Sequence, residues 1–233
     1  MSDASAIIVG VGPGLGAALA RRFAKGGLKV AVAARRPERL EALATEIGGK
    51  AYACDVGDEA SVGALFAEVA ETHGVPAAVV YNAGAYARAS VVETTAEQFE
   101  RAWRIGCMGG FLVGQAAARA MLPSGQGTIL FTGATASLRG GANFVNLAVG
   151  KFGLRALAQS MARELGPQGL HVAHVIIDGQ IEDATREGRG PGTRGADALL
   201  HPDAIAEAYW QLHVQPRSAW TQELDLRPWV EKF

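Results

Sequence analysis

Three glycines near the start of the chain, Gly10, Gly14 and Gly16, have the spacing of a phosphate-binding loop. They follow a short apolar run at 6–9 and precede an alanine-rich run at 17–24. Glycine lets the backbone turn tightly and approach a ligand, and the start of a helix offers free N–H groups and the positive end of a dipole. A strand, a glycine loop and a helix in this order predict a site for the pyrophosphate of a dinucleotide. A tight turn without a ligand is the alternative.

Two arginines, Arg35 and Arg36, directly follow the second apolar run at 28–34. In a dinucleotide-binding fold the end of this strand meets the adenosine ribose. An acidic residue there binds the 2′-hydroxyl of NAD, and an arginine pairs with the 2′-phosphate of NADP. No acidic residue lies between Leu28 and Pro37. The sequence therefore predicts NADP, with two solvated charges at the start of a helix as the alternative.

Polar residues also follow the third and fourth apolar runs. Asp55 comes directly after 50–54, and Asn82, Ala83 and Gly84 come directly after 77–81. The carboxyl ends of parallel strands meet at one edge of a sheet, where α/β proteins bind their ligands. We therefore expect these residues close to the glycine loop. Taken alone, the aspartate also suits a helix N-cap or a turn, and the asparagine and glycine also suit a turn.

The elements that must position these residues alternate along the chain. Hydrophobic patterns and turn residues predict strands at 5–10, 28–34, 50–54, 77–81, 128–132, 170–177 and 223–226, and helices at 14–26, 37–47, 59–73, 95–104, 109–121, 143–165 and 203–213. Alternating strands and helices form right-handed crossovers, which place helices on both faces of a parallel sheet. The prediction is an α/β protein with a Rossmann-type doubly wound parallel sheet of about seven strands. A polar, glycine-rich segment at 182–197 is predicted to be a loop or a mobile lid.

Composition narrows the class of protein. The chain has 233 residues, 49% of them hydrophobic, and its net charge is −1 without a basic tract. We predict one domain over 1–233 that binds neither nucleic acid nor a membrane. We find no secretory signal and no apolar run long enough to span a membrane, so a cytoplasmic location is expected. Cys54 and Cys107 lack a metal-ligand spacing, which predicts free thiols and no metal site.

Together these motifs resemble the short-chain dehydrogenase/reductase family over almost the whole chain. The further matches are Val56 after Asp55, a long helix with Lys151, and Asp178-Gly179 after the sixth strand, where the family usually has Pro-Gly. The resemblance implies NADP as a cofactor held at four places. These are the pyrophosphate at Gly10, Gly14, Leu15 and Gly16, adenine at Asp55 and Val56, the nicotinamide ribose at Asn82, Ala83, Gly84 and Lys151, and the nicotinamide at Gly179 and Ile181.

The family's catalytic residues are matched only in part. The family transfers a hydride to or from a carbonyl carbon, with a tyrosine that donates the proton and a serine that positions the oxygen. A lysine binds the ribose, and an asparagine holds a water molecule. Lys151 matches the lysine, but the tyrosine position, four residues earlier on the same helical face, holds Leu147. The serine position falls on Ala134 and the asparagine position on Gly106. The resemblance thus implies an atypical active site.

A substitute proton donor is expected close to the missing residues. Tyr86 follows 82–84 in a loop that should border the pocket, so it is a candidate catalytic residue beside Lys151. Packing or substrate contact is its alternative role. Further hydroxyl and amide groups lie near the missing serine and tyrosine, on Thr135, Ser137, Asn143 and Asn146. General acid catalysis is typically worth about 10²–10⁴-fold, so a substrate that needs less proton donation, such as an activated alkene or an iminium, is another route.

The sequence favours an NADP-dependent oxidoreductase that transfers a hydride to a small organic carbonyl, enone or imine. An NADP-binding protein with little or no turnover, acting as a sensor, scaffold or degenerate subunit, is the main alternative. A non-redox enzyme such as an isomerase or dehydratase is the third.

Two tryptophans near the C-terminus, Trp220 and Trp229, need a surface to bury them. Because the resembled family forms subunit interfaces with its last strand and helix, a homodimer or homotetramer is expected.

Overall fold

Seven parallel strands form the sheet of the computed structural model, which describes residues 4–183, 190, 195 and 197–230. Their order across the sheet is 3-2-1-4-5-6-7, which confirms the predicted doubly wound fold. The strands are β1 Ser5–Val9, β2 Lys29–Ala34, β3 Lys50–Ala53, β4 Pro76–Tyr81, β5 Gly127–Thr132, β6 Leu170–Ile177 and β7 Glu223–Leu226.

Helices cover both faces of this sheet, so its central strands are buried on both sides and consist of nearly continuous apolar runs. Side chains such as Ile8 pack toward the first and last helices, and side chains such as Ile7 pack toward helices on the opposite face. The helices of the described chain are α1 Leu15–Lys25, α2 Glu41–Glu46, α3 Glu59–His73, α4 Ala96–Trp103, α5 Gly109–Met121, α6 Val145–Leu165 and α7 Pro202–His213.

Two helical segments differ from the sequence prediction. The helix predicted at 37–47 is a 3₁₀ turn, Pro37–Arg39, followed by the short α2. Leu40 lies between them, and its buried side chain anchors this tight turn in the hydrophobic core. The helices predicted at 95–104 and 109–121 are joined by a π-helical turn, Arg104–Met108, into one run.

That run, Ala96–Ser124, has the length and hydropathy of a membrane span, which corrects the prediction that no such segment exists. Half of its most apolar window is buried inside the protein. It packs against β4, β5, α3 and α6, and a core helix is expected to be apolar where it packs in this way.

The last strand, β7, forms the edge of the sheet beside β6. All eight residues of β6 are buried, whereas β7 has four residues that are mostly half-buried. Two hydrogen bonds from Arg155 on α6 to Glu223, of 2.7 and 2.6 Å, tie β7 to the helix layer. The buried His174 of β6 places its Nδ1 3.4 Å from the same carboxylate. The edge strand is thus held by a half-buried ion pair as well as by its backbone hydrogen bonds to β6.

The C-terminal tryptophans are predicted to need a surface that buries them, and Trp220 is half-buried against its own chain. Its ring stacks on His171 with centroids 4.9 Å apart, and its indole N–H donates to the carbonyl of Gln215. Trp229 is 80% exposed. The segment predicted as a loop or lid, 182–197, lies largely outside the described residues.

Candidate active site

Two adjoining cavities open at the carboxyl edge of the sheet, where the strand order reverses between β1 and β4. This is the position at which doubly wound sheets bind ligands. The smaller cavity, about 260 Å³, lies at the ends of β1 to β4, and the larger, about 730 Å³, lies at the ends of β4 to β6. Asn82 and Gly84 line both cavities, so an extended ligand can pass from one to the other.

The glycine loop is compact because two of its glycines, Gly10 and Gly16, lie directly against neighbouring backbone. Gly10 has a φ of +85°, and a Cβ there would lie 2.4 Å from the backbone nitrogen of Ala83. A Cβ on Gly16 would lie 2.7 Å from the Cα of Val11. Gly14 precedes α1 with open space around it, and within the described chain no side chain caps this helix. The loop therefore leaves the start of α1 free for an anion, while Gly16 serves close packing.

Asn82 fixes the glycine loop to β4. Its side-chain amide donates to the carbonyl of Gly10 at 3.1 Å, and its backbone N–H donates to the carbonyl of Val9 at 2.8 Å. Ala83 contacts the loop at the Cβ position of Gly10. The three residues predicted at 82–84 therefore lie beside the loop, and each of them lines the smaller cavity.

The smaller cavity also brings together the residues predicted to bind the adenosine half of a dinucleotide. Arg35, Asp55 and Val56 line it, whereas Arg36 is exposed and is not among its lining residues. Asp55 accepts a hydrogen bond from the N–H of Gly57 at 2.9 Å and does not cap α3, because Asp58 does so. Of the two alternative roles of Asp55, the N-cap is thus wrong, whereas the turn is present at the cavity wall.

Lys151 lies beneath the junction of the two cavities. Its side chain is buried, its ammonium donates to the carbonyl of Thr132 at 2.6 Å, and its Nζ is 3.7 Å from the Cβ position of Gly84. Burial lowers the pKa of Lys151 to about 8. The hydroxyl of Thr132 accepts a hydrogen bond from Tyr209 at 2.8 Å, so a buried tyrosine lies behind the lysine. Lys151 lines neither cavity itself, and its ammonium lies behind Thr132 and Gly84, which do line the larger one.

The wall of the larger cavity beside Lys151 is formed by alkyl groups. Leu147, one helical turn before the lysine, and Ala134, after β5, both line it. Tyr86 lines the same cavity, is 57% exposed and meets the ring of Phe144 edge-on at 5.9 Å. Leu15, Gly179 and Ile181, predicted near the pyrophosphate and nicotinamide, also line this cavity.

The other predicted donors differ in position. Thr135 lines the larger cavity, but its hydroxyl donates to the buried carboxylate of Asp178 at 2.6 Å. The remaining three do not line the cavity. Ser137 is buried 3.4 Å from the Nε2 of His174, Asn143 carries a φ of +67°, and Asn146 is buried in α6.

Sequence reasoning missed Arg139, which is the only charged side chain among the described residues lining the larger cavity. It also missed Thr132 as the hydrogen-bond partner of Lys151. The signal for Arg139 was its place five residues after Ala134, in the segment that the pocket wall would have to include. Among the described residues, no group of His, Cys, Asp and Glu that could hold a metal ion occurs.

Comparison with known proteins identifies the family. The short chain dehydrogenase model matches residues 4–187. The chain belongs to the short-chain dehydrogenase family. A short-chain dehydrogenase from Rhodopseudomonas palustris is 41% identical, with a TM-score of 0.84 over 98% of this chain and all of that one. The present chain is therefore an oxidoreductase of a family whose members use NAD(P).

Two further relatives show the range of the family. The 3-oxoacyl-[acyl-carrier-protein] reductase MabA of Mycobacterium tuberculosis is 34% identical over 78% of this chain and 71% of its own length. An alcohol dehydrogenase from Thermococcus sibiricus, solved with 5-hydroxy-NADP, is 28% identical with a TM-score of 0.85, over 98% of each chain.

Proposed function

We propose that this chain is an NADP-dependent oxidoreductase with a non-standard active site. The observation that carries the cofactor choice is Arg35, which lines the smaller cavity at the end of β2. In the described part of the chain, no hydrogen bond or ion pair occupies its guanidinium. A free guanidinium at the ribose end favours the 2′-phosphate, because charge-assisted pairs with phosphate are strong. The complex of the Thermococcus sibiricus enzyme with an NADP derivative supports the same choice.

The residues present fit a nicotinamide dinucleotide. The uncapped start of α1, with open space at Gly14, suits the pyrophosphate, and the buried ammonium of Lys151 suits a ribose hydroxyl at the junction. Gly179 and Ile181 would hold the nicotinamide in the larger cavity. When bound, NADPH supplies a hydride to an electrophilic carbon.

The surrounding residues determine which substrates suit this site. Leu147 and Ala134 offer no proton to a substrate oxygen, and the hydroxyl of Thr135 is bound to Asp178. An activated alkene or an iminium accepts a hydride at carbon with less need for a donated proton than a ketone. After hydride addition to an enone, the enolate takes its proton from water, which reaches the open cavity, or from Tyr86 at the rim. We therefore expect enones and imines to be better substrates than simple ketones.

The cofactor choice is tested by titrating NADPH and NADH into the wild type and Arg35→Ala. We expect the variant to lose about tenfold or more in NADPH affinity, since a hydrogen bond to a charged group contributes about 1.5–3 kcal/mol, and to keep its NADH affinity. Arg39→Ala, in the adjoining exposed 3₁₀ turn, is the matched control. Equal losses for both cofactors would contradict the role of Arg35.

An NADP-binding protein with little or no turnover is the second candidate, and the alkyl side chains at 134 and 147 favour it. NADPH consumption with enones, imines, quinones and ketones separates the two. Tight NADPH binding without reduction of any compound supports the second candidate, and reduction of an enone or imine supports the first.

We also propose that the chain forms a homodimer or homotetramer through the outer faces of its helices. The support is a group of large apolar side chains that stay partly exposed on α4, α5 and α6, namely Trp103, Phe111, Val149 and Phe152. Large apolar side chains exposed on helices that pack against one another are typical of an interaction surface. The cytoplasmic location and the lack of nucleic-acid and membrane partners stay predictions from the sequence.

A further inference from the structure

Arg139 places a positive charge in a cavity whose other described walls are uncharged. It lies between the buried Ser137 and α6, and its side chain is 58% exposed. Neighbouring walls are apolar, formed by Ala136, Phe144 and Leu147. A lone guanidinium in an apolar cavity is a strong determinant of which ligands bind, because few polar groups fix the orientation of a small molecule.

The charge of Arg139 is only weakly compensated within the protein. Its nearest carboxylate oxygen, Oδ1 of Asp178, is 3.9 Å away, which is beyond hydrogen-bond distance. That oxygen already accepts the hydroxyl of Thr135 at 2.6 Å, and the other oxygen lies 3.5 Å from Arg227. Glu182, next to the cavity residue Ile181, is 3.0 Å from His201. In the described chain, the N–H groups of Arg139 therefore make no hydrogen bond.

A second cation adds to the positive potential of the same wall. The guanidinium of Arg88, which is exposed, lies 5.6 Å from the ring centroid of Phe144, and Tyr86 meets this ring from another side. The cavity wall thus combines the aromatic ring of Phe144 with the guanidinium of Arg139, and Arg88 lies against that ring without lining the cavity. Such a wall suits a flat apolar body that carries a negative charge.

We infer that the ligand of this cavity is a small organic acid, whose carboxylate pairs with Arg139 and whose apolar body lies against Phe144 and Leu147. The inference deepens the proposed function by naming the substrate class, an enone, imine or ketone that bears a carboxylate. Guanidinium and carboxylate match in a planar, two-bond geometry, and one guanidinium neutralises one carboxylate.

The test is calorimetric titration of the NADPH-loaded protein with benzoate and with benzamide, its uncharged analogue of similar shape. We expect benzoate to bind about tenfold more tightly than benzamide, and added salt to weaken only benzoate. Arg139→Gln should remove the tenfold advantage without changing benzamide binding, and Arg139→Lys should restore part of it. The matched control is Arg163→Gln, an exposed arginine of α6 whose guanidinium bonds only the helix backbone.

Equal affinities for benzoate and benzamide, or an Arg139→Gln variant that keeps the wild-type preference, would overturn the inference. Phenyl phosphate that binds more tightly than benzoate would also overturn it, in favour of a phosphate-bearing ligand. If NADPH does not bind, the proposed function fails, and the same titration on the protein alone still decides the inference. Arg139-dependent benzoate binding then supports it, and its absence contradicts it.

Discussion

Lys151 carries an ammonium group into the protein interior, where its single described hydrogen bond is to the carbonyl of Thr132. Burial lowers its pKa from 10.5 to about 8, so the unfolded chain binds this proton more tightly than the folded chain. The cost of burying the charge is therefore fully present below pH 8 and disappears as the pH rises from 8 to 10.5. A residue retained at such a cost is expected to serve binding rather than stability.

Lys151→Met should stabilise the cofactor-free protein at pH 7, by on the order of 1–3 kcal/mol, because it removes a buried charge and keeps the chain length. The same variant should bind NADPH more weakly, since it lacks the ammonium at the cavity junction. Thermal unfolding with and without NADPH, at pH 7 and at pH 10, measures both effects, and the stabilisation should shrink at pH 10. Lys25→Met, at the exposed end of α1, is the control. A destabilised Met variant at pH 7 would contradict this account.

Leu147 and Ala134 lie on the wall where a proton donor and a polar anchor for a carbonyl oxygen would be needed. We expect the double variant Leu147→Tyr, Ala134→Ser to introduce or raise reduction of simple ketones, by up to about 10²–10⁴-fold, because the tyrosine would lie one turn before Lys151. NADPH consumption with a ketone measures it, with Leu147→Met as the apolar control. A folded double variant that binds NADPH but gains no ketone reduction would contradict the assignment of these positions.

The lining of the smaller cavity was predictable because these residues directly follow strands. Arg35, Asp55 and Asn82 each come after an apolar run, and parallel strands bring their carboxyl ends to one edge whatever the details of packing. Arg139 and Thr132 were not predictable in this way. The direction of Arg139 depends on how the segment before α6 folds over β6, and the bond from Lys151 to Thr132 depends on the depth at which α6 packs.

At the scale of elements, α6 packs closely against the π turn Arg104–Met108, and glycines of both segments lie at the contact. A Cβ on Gly106 would lie 3.2 Å from the Cα of Gly150, and a Cβ on Gly153 would lie 2.6 Å from the sulfur of Cys107. The two backbones therefore approach too closely for larger side chains. This contact favours glycine at 106, the position on which the resemblance places the family's asparagine. The helical period of the sequence could not show the turn, because the insertion of one residue leaves the apolar pattern on either side intact.

Gly106→Asn should destabilise the protein by about 1–3 kcal/mol, since the added side chain must push α6 away from the π turn. Denaturant or thermal unfolding measures the change. Gly63→Asn is a matched control on the exposed face of α3, where a Cβ meets no atom of the described chain within 4 Å. It should leave stability nearly unchanged, and a similar loss in both variants would show that helix propensity rather than packing is responsible.

At the scale of the whole molecule, the apolar side chains of α4, α5 and α6 that stay exposed are predicted to meet a second copy of the chain. Phe152→Asp should lower the molar mass found by light scattering from that of a dimer or tetramer to that of a monomer, because it buries a charge in the contact. Val92→Asp, in an exposed loop, is the control. A wild-type protein that is monomeric at micromolar concentration would contradict the proposed assembly.

The half-buried edge strand β7 also affects the tendency of the chain to aggregate in solution. If β7 detached, the unpaired backbone of β6, an eight-residue apolar strand, would be open to strands of other molecules, which is a known route to aggregation. The ion pair of Arg155 with Glu223 opposes this opening. The guanidinium of Arg155 lowers the pKa of the Glu223 carboxyl, which favours the charged pair in mildly acidic solution. This half-buried ion pair therefore adds to the backbone bonds with β6 that keep the edge of the sheet closed.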